Sequence, residues 1–444
     1  MTPIEIGIIG IVVLIILLLI RVPAGISLLI AAALGNAMLT APLPALTQLA
    51  SDAVAITLRN SLAVIPFVLL TGILITKTSI PSALYDLMKF IFGSGKGGVG
   101  VASIGASAVS GAFCPDQNSM MKASLPDAIS DMKKYGYDSG FSTSVATVGA
   151  SLALIIPPSI PLIAFAFMAE LSIGQMLLAG IVPGGFATIL LMIAASFFII
   201  LRPNPAPAAA KTNRPSAIQA LKLAWFVPFL FAAMFVLIYM GWATPTEAAA
   251  IGAALAFVFA LLVKQMSLKI LIDSLIQSAM LTGKTFILLI GAGLFSLFLT
   301  RSLITVSLVS FFSRLDIASV FIVLLFLVAF MFLGMIVDKL VAVVLLTPVT
   351  YPVILSLGLH GVWFGVLVIL ALMLSMFISP ARFMRLVNRS IGADKQGGKI
   401  KTKKTETTTY PVAWTFIAVL LILIALVMAF PIIARFLPSM MFGR

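Results

Sequence analysis

The sequence predicts an all-α polytopic membrane protein with inverted repeats: two re-entrant helical hairpins, each followed by a broken transmembrane helix. Three observations carry that prediction. The 444 residues are 61% hydrophobic and only 9% charged, with mean hydropathy +1.21, more apolar surface than a water-soluble fold of this size can hide. Apolar runs break at Ser110-Gly111-Ala112-Phe113-Cys114-Pro115-Asp116 and again at Ile155-Ile156-Pro157-Pro158-Ser159-Ile160-Pro161. The pattern then returns at matched spacing: 48 residues from Ser110 to Pro158, 46 from Gly334 to Pro380.

Apolar segments fall at 4–20, 22–41, 54–76, 97–114, 117–130, 139–169, 174–201, 224–242, 245–263, 272–300, 317–335, 340–357, 361–379 and 411–434. The first lacks a basic leader and a small-residue cleavage site, so it reads as a retained span. Segments 97–114 with 117–130, and 317–335 with 340–357, are close pairs that turn at polar breaks, the signature of hairpins. The spans after them are interrupted at Pro157-Pro158 and at Ser379-Pro380. A membrane helix satisfies its own backbone, and non-helical backbone at membrane depth persists only where protein buries it or it lines a water-filled cavity. Two facing breaks present N–H groups to an anion and carbonyls to a cation, the arrangement of a solute-transport site.

Orientation follows from the basic loops. Residues 202–222 carry Arg202, Lys211, Arg214 and Lys222 with no acid, and residues 382–406 carry eight Lys and Arg against Asp394 and Glu406. Both are expected to be cytoplasmic. Threading outward puts Arg21, 77–96, Lys133-Lys134 and 264–269 inside, and 42–51, Glu170, 241–247 and Gly358–Gly361 outside. The two hairpins then enter from opposite sides, as inverted repeats require. Trp225, Trp242, Trp363 and Trp414 fall near span ends and read as interfacial anchors.

The formal charge of +14 belongs to these loops, so the partner is the lipid bilayer and no nucleic acid is expected. One cysteine, Cys114, and one histidine, His360, exclude a disulfide framework and a soft-metal site. There is no GxxxxGK[ST], no HExxH, no paired carboxylates and no Ser/Cys–His pair, which argues against an ATPase or a membrane enzyme. A self-sufficient sodium- or proton-coupled anion or dicarboxylate transporter and a nontransporting scaffold or receptor remain as alternatives to a permease subunit.

Thr244-Pro245-Thr246-Glu247-Ala248-Ala249-Ala250, Ile156-Pro157-Pro158-Ser159-Ile160-Pro161, Gly180-Ile181-Val182-Pro183-Gly184 and Gly334-Met335-Ile336-Val337-Asp338 all occur in the chain. Together with Pro66-Phe67, Leu84-Tyr85-Asp86 and Gly136-Tyr137-Asp138, they give the chain a resemblance to the large membrane subunit of TRAP (tripartite ATP-independent periplasmic) transporters from about Arg21 to Ile391. The resemblance implies an elevator-type transporter in a bacterial inner membrane. It implies a small four-helix membrane subunit and a periplasmic substrate-binding protein as partners, an organic acid (such as sialic acid or a C4-dicarboxylate) as substrate, and Na+ as coupling ion. The chain then divides into N-terminal scaffold helices (1–92), a first transport repeat (93–171), scaffold helices with a cytoplasmic linker at 202–222 (172–300), a second transport repeat (301–392), a polar cytoplasmic loop (393–410) and a C-terminal transmembrane helix (411–444).

On that reading one sodium site combines the Ser110 hydroxyl with carbonyls of Ala153, Ile156 and Pro158, because a hard cation takes oxygen ligands. Its counterpart combines Gly334 and Asp338 with carbonyls of Ser375, Ile378 and Pro380. Substrate contacts fall to Ser110, Gly111, Asp116, Ser159 and Arg382. Structural roles compete: Ser110 packs helices, Asp116 and Asp338 cap them, and Arg382 snorkels to the cytoplasm. Lys339 offsets Asp338, and Lys284 snorkels from one or two turns inside its span. The chain departs from the family at Ala112-Phe113, where small hydroxyls are usual, and at Arg382, where glycine is usual. The lost hydroxyl implies a weaker first sodium site.

Overall fold

In the computed structural model the described residues are 1–95, 97–114, 117–200, 217–378 and 402–442. They form helices joined by short turns, in an all-α membrane fold. Eight helices are long and apolar enough to cross a membrane, or nine if the bent pair Pro42–Thr57 and Asn60–Thr76 counts as one span.

Two groups of helices pack against each other. The flanking layer comprises α1 (Pro3–Leu19), α2 (Ala24–Leu39), α3 (Pro42–Thr57), α4 (Val64–Thr76), α12 (Phe226–Tyr239), α13 (Pro245–Leu262) and α14 (Leu268–Arg301). Its starts are strongly capped. Thr244 and Glu247 form a reciprocal capping box at α13, with Pro245 in the first turn. This gives the Thr-Pro-Thr-Glu motif a helix-start role. At the far end of α14, Arg301 donates to Asp52 at 2.9 Å and Asn36 at 3.0 Å, fastening it to α3 and α2.

The inner unit is built on α6 (Gly98–Gly111) and α7 (Gln117–Lys134), then α8 (Ser139–Ser151), a 3-10 turn (Leu152–Leu154) and α9 (Ile160–Met168). The second repeat supplies α16 (Ser319–Ile336), α17 (Lys339–Ser356) and α18 (Gly361–Ile378). Helix α18 is almost wholly buried, so it forms the axis of this unit. Amphipathic α5 (Ile80–Phe92) pairs with α11 (Ala217–Ala224), and α15 (Ile304–Ser313) links α14 to α17. Hydropathy picks out neither α5 nor α15 as a span, because each is too short.

Several boundaries differ from the sequence expectation. Residues 42–51, expected as an outer loop, belong to α3, with Pro42 at its first position, where a missing N–H costs nothing. The expected 54–76 span bends by 52° at Leu58–Arg59. Helix α10 (Ile173–Ile200) packs on the two C-terminal helices and on α6, α9 and α18. A polar loop was expected to reach residue 410, yet α19 (Thr402–Ala429) begins before it, since extending a formed helix needs no new nucleus. The C-terminal span is two helices, because Pro431 disfavours helical backbone at Phe430 and α20 (Ile432–Phe442) restarts after it. Trp363 is no interfacial anchor: it is buried and donates to the Val427 carbonyl at 2.7 Å.

At the end expected to face outward the two groups touch through Arg59 and Glu170, 3.4 Å apart and largely exposed. Such a pair contributes about 0–1 kcal/mol. The expected orientation has a direct test in a Cys114→Ser background. Leu359→Cys should react with an impermeant thiol reagent applied outside, and Lys222→Cys only after the membrane is opened. The opposite pattern would reject the orientation.

Candidate functional site

The second hairpin tip, the first break and Gln117, just past the first tip, meet the flanking layer at one cavity of about 300 Å³. Gln117 opens the second arm of the first hairpin, Leu154 and Ile160 flank the break, and Asp338 and Lys339 form the second tip. The opposite wall is α14, through Leu281, Lys284, Thr285 and Leu288. An apolar cleft with a few convergent polar groups is the usual form of a small-molecule site.

Lys284 is the cation that the structure brings to the cavity wall. Helix α14 starts at Leu268, capped by Ser267, and Lys284 lies 16 residues further on, about 24 Å along the axis. Its side chain lines the cavity. Among the described residues it makes no hydrogen bond or ion pair, which leaves its ammonium to whatever enters.

The first tip and first break do come together. A Cβ on Gly111 would stand 3.1 Å from Ile156, so the tip lies directly on the break. Glycines of α10 press on the other side: a Cβ on Gly180 would meet the Ile155 carbonyl at 2.5 Å. That close approach is why the Gly-Ile-Val-Pro-Gly segment needs glycine there. At the break the carbonyls of Ala153, Ile156 and Pro158 accept no backbone hydrogen bond among the described residues. Three such oxygens beside a hairpin tip suit a hard cation.

Ser110 is buried in the last turn of α6 and lines a second cavity of about 260 Å³, with Tyr85, Ser103 and Asp131. It is thus one residue from the Gly111 contact with the break. Ser159, expected to touch substrate, has a structural role. Its hydroxyl donates to the Leu154 carbonyl at 2.6 Å and accepts from the Leu162 N–H at 3.5 Å. Asp338 caps α17, accepting from the Leu340 N–H at 3.0 Å, and also lines the first cavity. Ile378 ends α18. Asp116, Pro380 and Arg382 lie outside the described residues.

At the second tip the geometry departs from a metal site. The Lys339 ammonium donates to the Gly334 carbonyl at 2.6 Å and to the Ser375 hydroxyl at 2.7 Å. Oxygens of two residues expected to hold a sodium ion are therefore engaged by a side chain. The sequence signal was present, since Lys339 and Lys284 both interrupt apolar surroundings, but charge offset and snorkelling explain such residues equally well.

In the second cavity Lys89 pairs with Asp131 at 2.7 Å, both largely buried, and lies 5.0 Å from the Tyr135 ring centre. Burial opposes the Lys89 charge, yet the hydrogen bond to Asp131 holds its pKa above the ordinary lysine value. The pair fastens α5 to α7.

The chain matches the family described as tripartite ATP-independent periplasmic transporter, DctM component, over residues 11–433. It is 25% identical to the C4-dicarboxylate TRAP transporter large permease protein DctM of Pseudomonas aeruginosa, covering 85% of this chain and 86% of that one. It is 26% identical to the sialic acid TRAP transporter large permease protein SiaM of Vibrio cholerae, covering 86% and 87%. It is 27% identical to the ectoine TRAP transporter large permease protein TeaC of Halomonas elongata, covering 96% and 97%. The fold is similar to that of the Alcanivorax borkumensis YdaH transporter, with TM-score 0.65, 15% identity, and 88% and 90% of the two chains covered.

Proposed function

Because this chain belongs to the DctM component of the tripartite ATP-independent periplasmic transporters, we propose that it is the large permease subunit of a system that imports an organic acid. A periplasmic binding protein delivers the substrate, and a small membrane subunit covers the exposed apolar faces of the flanking layer. The complex works in the bacterial inner membrane. The inner unit carries its passenger by sliding along the flanking layer, in the elevator manner, with a sodium gradient as the driving force.

One observation carries the reading: the second hairpin tip, the first break, Gln117 just past the first tip and Lys284 share a single cavity. An acid entering there meets the ammonium of Lys284 and the polar second tip, while Leu281 and Leu288 exclude water. The weak Arg59–Glu170 contact opposes sliding little. The backbone oxygens at Ala153, Ile156 and Pro158 are the proposed cation ligands. Bound there, sodium supplies positive charge to oxygens that accept no backbone donor among the described residues.

Uptake by proteoliposomes holding both membrane subunits tests this. Accumulation of a carboxylic acid is expected only with the binding protein and an inward sodium gradient. Equal uptake by the purified chain alone would overturn the tripartite reading. Loss of one ligand costs about 1–3 kcal/mol, so Ser110→Ala should raise the sodium concentration for half-maximal uptake roughly tenfold or more. Ala112→Ser should lower it. Coincident sodium curves for all three proteins would remove the first tip from the cation site.

A further inference from the structure

The Lys339 ammonium sits at the end of α16, against α18. Gly334, whose carbonyl accepts from it, lies in the last turn of α16, and Ser375, whose hydroxyl also accepts from it, lies in α18. A helix C-terminus concentrates negative partial charge on carbonyls that lack intrahelical donors, and this favours a cation. The Ser375 hydroxyl spends its own proton on the Leu372 carbonyl at 2.7 Å, so its lone pairs are turned to the ammonium. The cradle is also tight. A Cβ on Gly334 would stand 2.9 Å from Ser375 Oγ and 2.7 Å from Leu372.

This cradle has the character of a small-cation site: a backbone carbonyl at the negative end of α16 and a hydroxyl from α18. At the first tip the comparable carbonyls carry no internal cation among the described residues. The two repeats, matched in spacing and in hairpin-then-break order, differ in this respect.

We propose that Lys339 is a tethered cation that replaces a coupling ion at the second hairpin tip, so that this chain moves its substrate with one dissolved cation fewer than a symmetric two-site carrier. A side chain cannot leave with the passenger. The second tip is therefore held on α18 with or without sodium, and only the first tip responds to the gradient. The inference rests on the cation-coupled reading above, but its test needs no transport.

The test measures thermal unfolding of the purified full chain in sodium chloride and in choline chloride at equal ionic strength. Lys339→Ala and Lys339→Ser empty the cradle of its ammonium and leave its oxygens. Both are expected to gain a sodium-specific rise in unfolding midpoint over the unaltered protein, of roughly 2 °C or more when sodium is well above its dissociation constant. Adding Ser375→Ala to Lys339→Ala should abolish the gain, and Lys339→Arg, which keeps a cation, should show none. A variant too unstable to fold in choline is expected to recover in sodium. Sodium responses equal to that of the unaltered protein, or equal loss of fold in both salts, would overturn the proposal. If the gain appears while organic-acid uptake fails, the functional reading falls and the tethered cation stands. If uptake succeeds without the gain, the reverse holds.

Discussion

Replacing Lys284 with glutamine is expected to weaken organic-acid binding by about ten- to a hundredfold, the worth of one charge-assisted hydrogen bond. The side chain lines the cavity from α14 while the other polar groups come mainly from the inner unit. Lys284→Gln keeps most of the length of contact and removes the charge. Uptake titrated against substrate should show the loss as a raised half-saturation concentration. The sodium dependence of thermal stability should be unchanged, since Lys284 touches neither proposed cation cradle. An unchanged half-saturation concentration would return Lys284 to the role of a snorkelling residue and leave the acid to be held by helix ends alone.

Asp131→Asn is the second large effect, and it acts on stability. Its partner Lys89 is buried beside Tyr135, and without the Asp131 charge it keeps only the weaker pull of Asp86 in the same cavity. The expected loss is about 1–3 kcal/mol. Replacing both members, as in Lys89→Met with Asp131→Leu, removes the stranded charge and should restore most of the loss. The unfolding midpoints of the single and double variants decide the matter. A single variant as stable as the parent would mean that the pair does not hold α5 against α7.

What the sequence disclosed, and what it withheld, divides along physical lines. Breaks were legible because proline and glycine act locally: Pro157-Pro158 and the Gly111 tip lie where backbone chemistry put them. Caps were legible for the same reason, as Thr244 and Glu247 show. Partner choice was not. Helix α10 is apolar on nearly every side, so nothing in its composition says whether it joins the flanking layer or the inner unit; its glycines decide, by admitting the Ile155 carbonyl. That Lys284 faces the cavity was hidden because its helix wall is completed by residues of distant segments such as Asp338 and Leu154. The contact of Lys339 with Ser375 was hidden because it joins residues 36 positions apart, a distance across which no local pattern reports. The candidate site was thus half visible: its backbone parts could be read, and its two cations could be seen but not placed.

The serine that closes the first break has a consequence for insulation. Ser159 ties the loose carbonyl of Leu154 and a free N–H in the first turn of α9 with one hydroxyl. An interruption left open would recruit a thread of water to satisfy those groups. On the proposed gradient-driven reading, such a thread is a short circuit, since protons pass along it without cargo. Here one hydroxyl satisfies the Leu154 carbonyl and the Leu162 N–H, while the neighbouring carbonyls of Ala153, Ile156 and Pro158 accept no backbone hydrogen bond among the described residues. On that reading leak-tightness and ion recognition fall to neighbouring atoms of one break, and a substitution that loosens Ser159 is expected to dissipate the gradient even while substrate still binds.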